Sequence, residues 1–301
     1  LGQRASIIIP AHNEAENIGT LVGEIRALYP EAEVIVVDDG STDETAKVAH
    51  EAGAQVYSHP YNIGNGAAIK TGIRAASGDI LVFMDGDGQH NPADVARLLE
   101  LFPEYDMVVG ARSVSGQASL GRAIGNKIYN WLGSYVAKFP ILDLTSGFRA
   151  VKADIAHGFL YLLPNTYSYP TTLTLAVLRT GRSLKYIPIQ ARCREQGTSG
   201  IKLYRDGVRF FMIIIRICTL YSPMRVFLPV SFSMVLLGLI NYVFTYFTQG
   251  RFTNMSALLL TNGVLVFMMS LISEQISQMR FERRQRKVTV KKFEEDSRSV
   301  E

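Results

Sequence analysis

Asp85 and Asp87 stand two residues apart in Asp85-Gly86-Asp87-Gly88-Gln89-His90, directly after the apolar run Ile80-Leu81-Val82-Phe83-Met84. Two carboxylates delivered from the tip of a buried strand suit one hard divalent cation whose remaining oxygen ligands come from a bound diphosphate. Both can face one ion only if the chain bends, and Gly86 and Gly88 are expected to permit that bend. Such a site is half protein and half substrate.

Polar segments follow two earlier apolar runs in the same way. Ile9-Pro10-Ala11-His12-Asn13-Glu14 closes a strand and opens a helix. Pro10 fixes φ there, and Glu14 with the first helical N–H groups offers a ligand both an acceptor and a donor set. The same residues also read as a helix cap with Asn13 at the N-cap. In the segment from Val36 to Thr45, which contains Asp38-Asp39-Gly40-Ser41, an aspartate can accept from a base N–H or a ribose hydroxyl. The alternative is a turn in which Ser41 or Thr42 caps a helix whose dipole Asp43 and Glu44 favour. Asn62-Ile63-Gly64-Asn65-Gly66 places two glycines at a helix start, where a phosphate can approach the backbone. It is not the dinucleotide fingerprint, since Pro10 and not a glycine-rich turn follows the first strand, and a dehydrogenase is poorly supported.

The elements that must position these residues alternate along the chain. Ala5 to Ile9, Glu33 to Val37, Ala54 to Ser58, Ile80 to Met84 and Met107 to Val109 read as strands, with helices at Glu14 to Leu28, Thr42 to Gly53, Gly64 to Ala76 and Pro92 to Phe102. Strands rich in Val and Ile and separated by helices predict an α/β fold, a mostly parallel sheet covered on both faces. Ligands of such sheets sit beyond the carboxyl ends of the strands, where all three polar segments fall. From Arg112 to about Ile201 the pattern loosens into helices and loops, read as the acceptor-side half of the same head.

The 301 residues carry a net charge of +4 and two cysteines, Cys193 and Cys218, which make no disulfide framework. No secretory signal is expected from the start of the chain. A mean hydropathy of +0.12 is high for a water-soluble domain, and the apolar excess lies after residue 209. The predicted organisation is a head over 1–205, an interfacial amphipathic helix over 206–222, a transmembrane hairpin over 223–279 and a basic tail over 280–301. Val226 to Phe247 and Met255 to Ile272 contain no charged residue over 22 and 18 positions, close to the ~20 residues that span a bilayer. Arg216 and Arg225 precede the first span, seven basic residues from Arg280 to Lys292 follow the second, and Arg251 alone lies between. The positive-inside rule then puts the head and both termini in the cytoplasm, with the protein integral to the cell membrane. Neither span carries a mid-membrane charge of the kind that marks an ion path, so the hairpin reads as an anchor, with Asn241 and Asn262 available as interhelical glue. The basic tail suits anionic lipid better than nucleic acid, since no reading motif accompanies it. The hairpin also offers a surface for homo-oligomerisation.

Taken in order, the three strand-end motifs resemble the family 2 glycosyltransferases of the GT-A fold, most of all the polyprenyl-phosphate glycosyltransferases. The resemblance covers about residues 5 to 205 and extends to the tail in architecture. It implies a nucleotide-sugar donor such as UDP-glucose or GDP-mannose, a polyprenyl-phosphate acceptor, and Mg²⁺ or Mn²⁺ held by Asp85, Asp87 and Gln89. It also implies that Pro10, Ala11, His12, Glu14, Val37 and Asp39, with Asp85, Gly86, Asp87, Gln89 and Lys202, line the donor. Gly110-Ala111-Arg112 matches a family Gly-Ser-Arg whose arginine reaches phosphate; Arg122, Asn126 and Ser146 are placed with Arg112 on the acceptor phosphate. Asp87 and Arg112 are the residues expected to carry catalysis. Asp143-Leu144-Thr145-Ser146-Gly147-Phe148-Arg149 resembles a signature that frames the reaction centre, and Gly197 to Lys202 a loop that closes over the donor.

The chemistry implied is a single inverting displacement. A lipid monophosphate, with a second pKa near ~6, is already nucleophilic at neutral pH and needs no general base. A processive polysaccharide synthase of the same superfamily is disfavoured, because its Gln-x-x-Arg-Trp motif is absent: Trp131 is the only tryptophan and Asn130 precedes it. A non-catalytic nucleotide-binding scaffold would have no need of Asp85, Asp87 and Gln89.

Overall fold

The computed structural model describes residues 4–102, 104–112, 120–165, 168–190 and 222–282, with the side chains of 120–126 and 280–282 left out. Seven strands form one sheet: β1 (Ala5–Ala11), β2 (Glu33–Asp38), β3 (Gln55–Ser58), β4 (Ile80–Phe83), β5 (Met107–Arg112), β6 (Arg149–Lys152) and β7 (Leu184–Ile189). Their spatial order is β3-β2-β1-β4-β6-β5-β7, and only β6 runs antiparallel to its neighbours β4 and β5.

The pleat divides the apolar residues between two cores. Ile7, Ile9, Val34, Val36 and Val82 pack on one face against α1 (Ala15–Leu28), α2 (Thr45–Glu51) and α4 (Asp94–Leu99). Ile8, Ile35, Val37, Leu81 and Phe83 pack on the other face against α3 (Asn65–Ala75), α5 (Leu120–Ala137), α6 (Ala153–Phe159) and α7 (Tyr169–Arg179). Strands apolar at every position are the signature of a sheet buried on both sides, and each fully buried Ile or Val contributes about 1.5–3 kcal/mol.

Three expectations need correction. The region after Arg112 is not only helices and loops, since β6 and β7 complete the sheet there. Asn13 is not the N-cap of α1: it takes a left-handed φ of 56°, Glu14 occupies the cap position, and the Asn13 side chain accepts instead from the Thr42 amide at 2.8 Å. The second helix starts at Thr45, so neither Ser41 nor Thr42 caps it; Asp43 accepts from the Thr45 amide at 3.0 Å.

Two long helices follow, α8 (Pro223–Gln249) and α9 (Asn254–Glu282). Both are long and apolar enough to cross a membrane, and only 11% and 17% of their most apolar windows are buried. A core helix of a water-soluble domain would be mostly covered; here Phe232, Leu236, Phe244, Val264 and Met269 are exposed. The helices pack through small residues, Gly238 against Leu260 and Gly263 against Val235. Ser231 Oγ donates to Gly263 O at 2.7 Å, and Asn241 Oδ1 accepts from Ser256 Oγ at 2.8 Å. The expected interfacial helix over 206–222 lies outside the described residues except for Ser222, as do Lys202, both cysteines and the tail beyond residue 282.

Candidate active site

Adjacent strands bring the three polar segments together. β1 lies between β2 and β4, with Ala11 beside Asp38 and Ile8 beside Phe83. The ends of these strands therefore open on one cleft of about 520 Å³, lined by Pro10, Ala11, His12, Glu14, Asp39, Asp85, Gly86 and Asp87. Because β6 runs antiparallel, with Arg149 beside Phe83, its entrance also lies at this edge, and Thr145 and Gly147 reach the cleft. Asn62, Gly64, Asn65, Tyr129 and the start of α7 from Ser168 to Thr171 complete the lining.

The first two loops are laced together. The amides of Asn13, Glu14 and Ala15 donate to Ser41 Oγ (2.9 Å), Thr45 Oγ1 (2.9 Å) and Asp43 Oδ2 (3.2 Å). Asp39 is buried; its Oδ1 accepts from His59 Nδ1 at 2.7 Å and the Ile63 amide at 3.0 Å, and its Oδ2 from the Gly64 amide at 2.7 Å. Asp39 thus shapes the 59–64 loop as well as facing the cleft. A Cβ at Gly40, where φ is +67°, would run into the Tyr61 backbone, so only glycine permits this close approach.

Asp85 is held from several sides. His90 is buried, stacks on Phe148 with ring centroids 5.1 Å apart, and brings Nε2 to 3.8 Å from Asp85 Oδ2. Desolvation pushes the Asp85 carboxyl up, but the nearby His90, the charge of Arg112 and the Asn65 side chain together hold it below the usual range. A Cβ on Gly147 would fall 2.4 Å from Asp85 Oδ2, so the missing side chain leaves the carboxylate its place. Asp87 closes a short turn by accepting from the Gln89 amide at 3.2 Å. The bend falls on Gly88, where φ is +69°; Gly86 has no positive φ, and a Cβ there would sit 3.1 Å from Pro10 O. The expectation that Gly86 supplies the bend is thereby corrected.

Arg112, at the end of β5, points its fork at Asp143. Nε donates to Asp143 Oδ2 at 2.8 Å, and Nη2 to Asp143 Oδ1 at 3.2 Å and to Thr145 Oγ1 at 2.8 Å. Burial pushes the Asp143 carboxyl up, yet its bonds to Arg112 hold it below the ordinary value. Arg149 is fully buried and donates to the carbonyls of Ser146 and Pro170 (2.7 Å) and to Thr174 Oγ1 (2.9 Å), pinning the 143–149 loop to α7.

Not every expected residue reaches the cleft. Val37 is fully buried in the core, Ser146 is buried with Oγ directed to Phe148 O at 3.5 Å, and the contribution of Gln89 is its amide. Arg122 and Asn126 lie on α5 with their side chains outside the description. Sequence reasoning missed Tyr129 and Tyr169; His90 and Gly147 stood within the quoted motifs without a role of their own, and Asn65 was legible only as part of a weak glycine pattern.

Asp85 and Asp87 both line the cleft, and a pair of carboxylates fits a hard cation that takes its remaining ligands from a diphosphate. Among the described residues no group of three or more His, Cys, Asp or Glu is arranged to hold a metal ion by itself.

A doubly covered, mostly parallel sheet with an Asp-x-Asp pair at a strand end beside the first strand defines a GT-A-like transferase. The chain belongs to the glycosyltransferases of family 2: residues 6–159 match the family described as glycosyl transferase family 2, and residues 222–279 match the GtrB C-terminal hairpin. It is 31% identical over 210 residues to the undecaprenyl-phosphate mannosyltransferase of Micrococcus luteus, covering 65% of this chain and 86% of that protein. The undecaprenyl-phosphate 4-deoxy-4-formamido-L-arabinose transferase of Photorhabdus laumondii is 26% identical over 297 residues, 92% of this chain and 90% of the relative. The fold is shared with glucosyl-3-phosphoglycerate synthase from Mycobacterium tuberculosis, solved with Mn²⁺, UDP and phosphoglyceric acid, at a TM-score of 0.59 and 23% identity over 72% of this chain and 78% of that one.

Proposed function

We propose that this glycosyltransferase moves a hexose from a nucleotide diphosphate sugar to a polyprenyl phosphate, with inversion at the anomeric carbon. The observation that carries the reading is one cleft bounded by Asp39, Asp85 and Asp87, on a chain that continues into an apolar two-helix hairpin. Relatives named for undecaprenyl-phosphate acceptors support the lipid, and their different sugars, mannose and an arabinose derivative, leave the choice of sugar to this chain's own residues.

In this reading Asp39, His12 and Glu14 face the nucleoside, while Asp85 and Asp87 hold Mg²⁺ or Mn²⁺ against the diphosphate. The cation, when bound, supplies Lewis-acid charge for the departing nucleoside diphosphate. His90, Asn65 and Gly147 keep the Asp85 carboxylate turned to its task. Arg112, oriented by Asp143 and Thr145, meets the phosphate of the acceptor, with Arg122 and Asn126 of α5 as further contacts and Lys202 closing on the donor. A guanidinium suits a phosphate dianion through paired N–H contacts, and the acceptor needs only to be held in line with the anomeric carbon. The hairpin spans the cell membrane with head and termini on the cytoplasmic side, so the cleft lies where a lipid phosphate surfaces.

The test is incubation in lipid nanodiscs with labelled UDP- and GDP-hexoses and a polyprenyl phosphate, followed by NMR of the lipid product. A lipid-linked sugar of inverted configuration is expected. Retained configuration, or release of nucleoside diphosphate without sugar on the lipid, would contradict the reading.

A further inference from the structure

The helices α5 and α7 each meet the cleft and also the base of the hairpin. Tyr129 of α5 and Tyr169, Pro170 and Thr171 of α7 line the cleft, and Tyr129 Oη donates to Thr171 Oγ1 at 3.0 Å, joining the two helices into one wall. At the far end of α7, Arg179 Nη2 lies 3.3 Å from Glu274 Oε1 of α9, and Arg179 Nη1 donates to Ser222 Oγ at 3.1 Å. The other oxygen of Glu274 accepts from the Met224 amide at 3.3 Å. At the far end of α5, Arg225 Nη1 donates to the carbonyls of Tyr135 (3.0 Å) and Val136, and Tyr135 Oη donates back to Arg225 O at 3.2 Å. Those carbonyls are in the last turn of α5, where orphan acceptors and the negative helix end favour a guanidinium.

Among the described residues a cavity of about 200 Å³ lies at this junction, bordered by Val136, Leu178, Arg179 and Arg225, while Val226 of the hairpin packs against the head's core. Polar contacts therefore share the connection with apolar packing. The paired side chains of Arg179 and Glu274 are only 20% and 18% exposed, which shields them from the screening that weakens surface pairs. An 11-residue helix such as α7 is a stiff rod of about 16 Å, and a tilt at one end displaces the other.

We propose that the Arg179–Glu274 pair and Arg225 on the end of α5 form a clamp that fixes the height and tilt of the cleft relative to the hairpin. They act as positioning residues that set the cleft against a polyprenyl phosphate held in the bilayer, a role that rests on the acceptor proposed above. The clamp lines no part of the cleft. Its loss therefore leaves the chemistry intact and separates the cleft from its membrane-held substrate.

Arg179→Gln and Glu274→Gln test the pair, the second keeping an acceptor for the Met224 amide. Transfer is compared between a long polyprenyl phosphate in liposomes and a short, water-soluble isoprenyl phosphate. Each variant is expected to lose about tenfold on the bilayer acceptor and little on the soluble one, the scale of a misplaced reactant. The double variant should be no worse than either single, as for two partners of one contact. Equal losses on both acceptors, additive losses, or no loss would overturn the clamp. A second measurement does not depend on turnover: pulsed EPR between labels at Glu24→Cys and Gln249→Cys, with Cys193→Ser and Cys218→Ser. One narrow distance is expected for the parent and a broadened distribution for both variants; unchanged distributions would also overturn the clamp. If the parent transfers to neither acceptor, the acceptor assignment fails and the EPR comparison alone decides the clamp.

Discussion

Gly147 shapes the site through the side chain it lacks. Its Cα lies so near Asp85 that a methyl group would occupy the space of a carboxylate oxygen. Gly147→Ala should therefore turn Asp85 away and weaken Mn²⁺ affinity by about 10–100-fold, the range for residues that orient a metal ligand; calorimetric titration in the presence of nucleoside diphosphate checks it, and unchanged affinity would remove Asp85 from the metal. Arg112→Ala should raise the KM for the lipid phosphate more than that for the nucleotide sugar; the reverse pattern would move Arg112 to the donor. Pro10, His12, Glu14, Asp39, Asp85 and Asp87 were legible in the sequence because each follows an apolar run that had to be a strand. Tyr169 was not, and Gly147 and His90 were legible only as members of their motifs, because nothing local records that a side chain at 147 would meet Asp85, that His90 stacks on Phe148, or that α7 begins at the cleft. Val37 and Ser146 carried expectations from resemblance, and both side chains face inward.

The antiparallel β6 does the most to assemble the site, since its direction delivers Thr145 and Gly147 beside Asp85. It was also the hardest strand to see: four residues, Arg149-Ala150-Val151-Lys152, with a cation at each end. β7 is an edge strand whose exposed Lys185 and Pro188 interrupt the apolar pattern, whereas β1, β2 and β4 carry the unbroken apolar runs Ile7-Ile8-Ile9, Val34-Ile35-Val36-Val37 and Ile80-Leu81-Val82-Phe83 that made them legible. Asp106 ties these late strands together, pairing with Lys152 Nζ at 2.8 Å and accepting from the Ser183 amide at 3.0 Å. Desolvation raises its pKa, but the Lys152 and Ser183 bonds outweigh it and hold the folded carboxyl below the ordinary aspartate value. A depressed carboxylate pKa contributes stability above its unfolded value, and that contribution is lost as pH falls through the folded one. Thermal melts from neutral pH downward should show this loss below about pH 4, and Asp106→Asn should melt lower at neutral pH while losing less on acidification. Phe148, which supports His90, should cost about 3–5 kcal/mol as Phe148→Ala, measured by urea unfolding in detergent.

At the scale of the whole molecule, a polar cleft and an apolar hairpin share one chain, and the proposed acceptor, part phosphate and part lipid, needs both. The hairpin was legible from two uncharged stretches, because a bilayer imposes length and composition directly. The way the head sits on it was not, since Arg179, Arg225 and Glu274 come from three separate elements and carry no shared pattern. The most direct test is transfer from a panel of radiolabelled UDP- and GDP-sugars to polyprenyl phosphate by the purified protein, with Mn²⁺ or with EDTA, beside Asp87→Ala. Label is expected in the lipid fraction with the parent protein and Mn²⁺, and none with EDTA or with Asp87→Ala. Undiminished transfer in EDTA or by Asp87→Ala would contradict the metal-centred site, and absence of lipid-linked label from every donor would contradict the reaction itself.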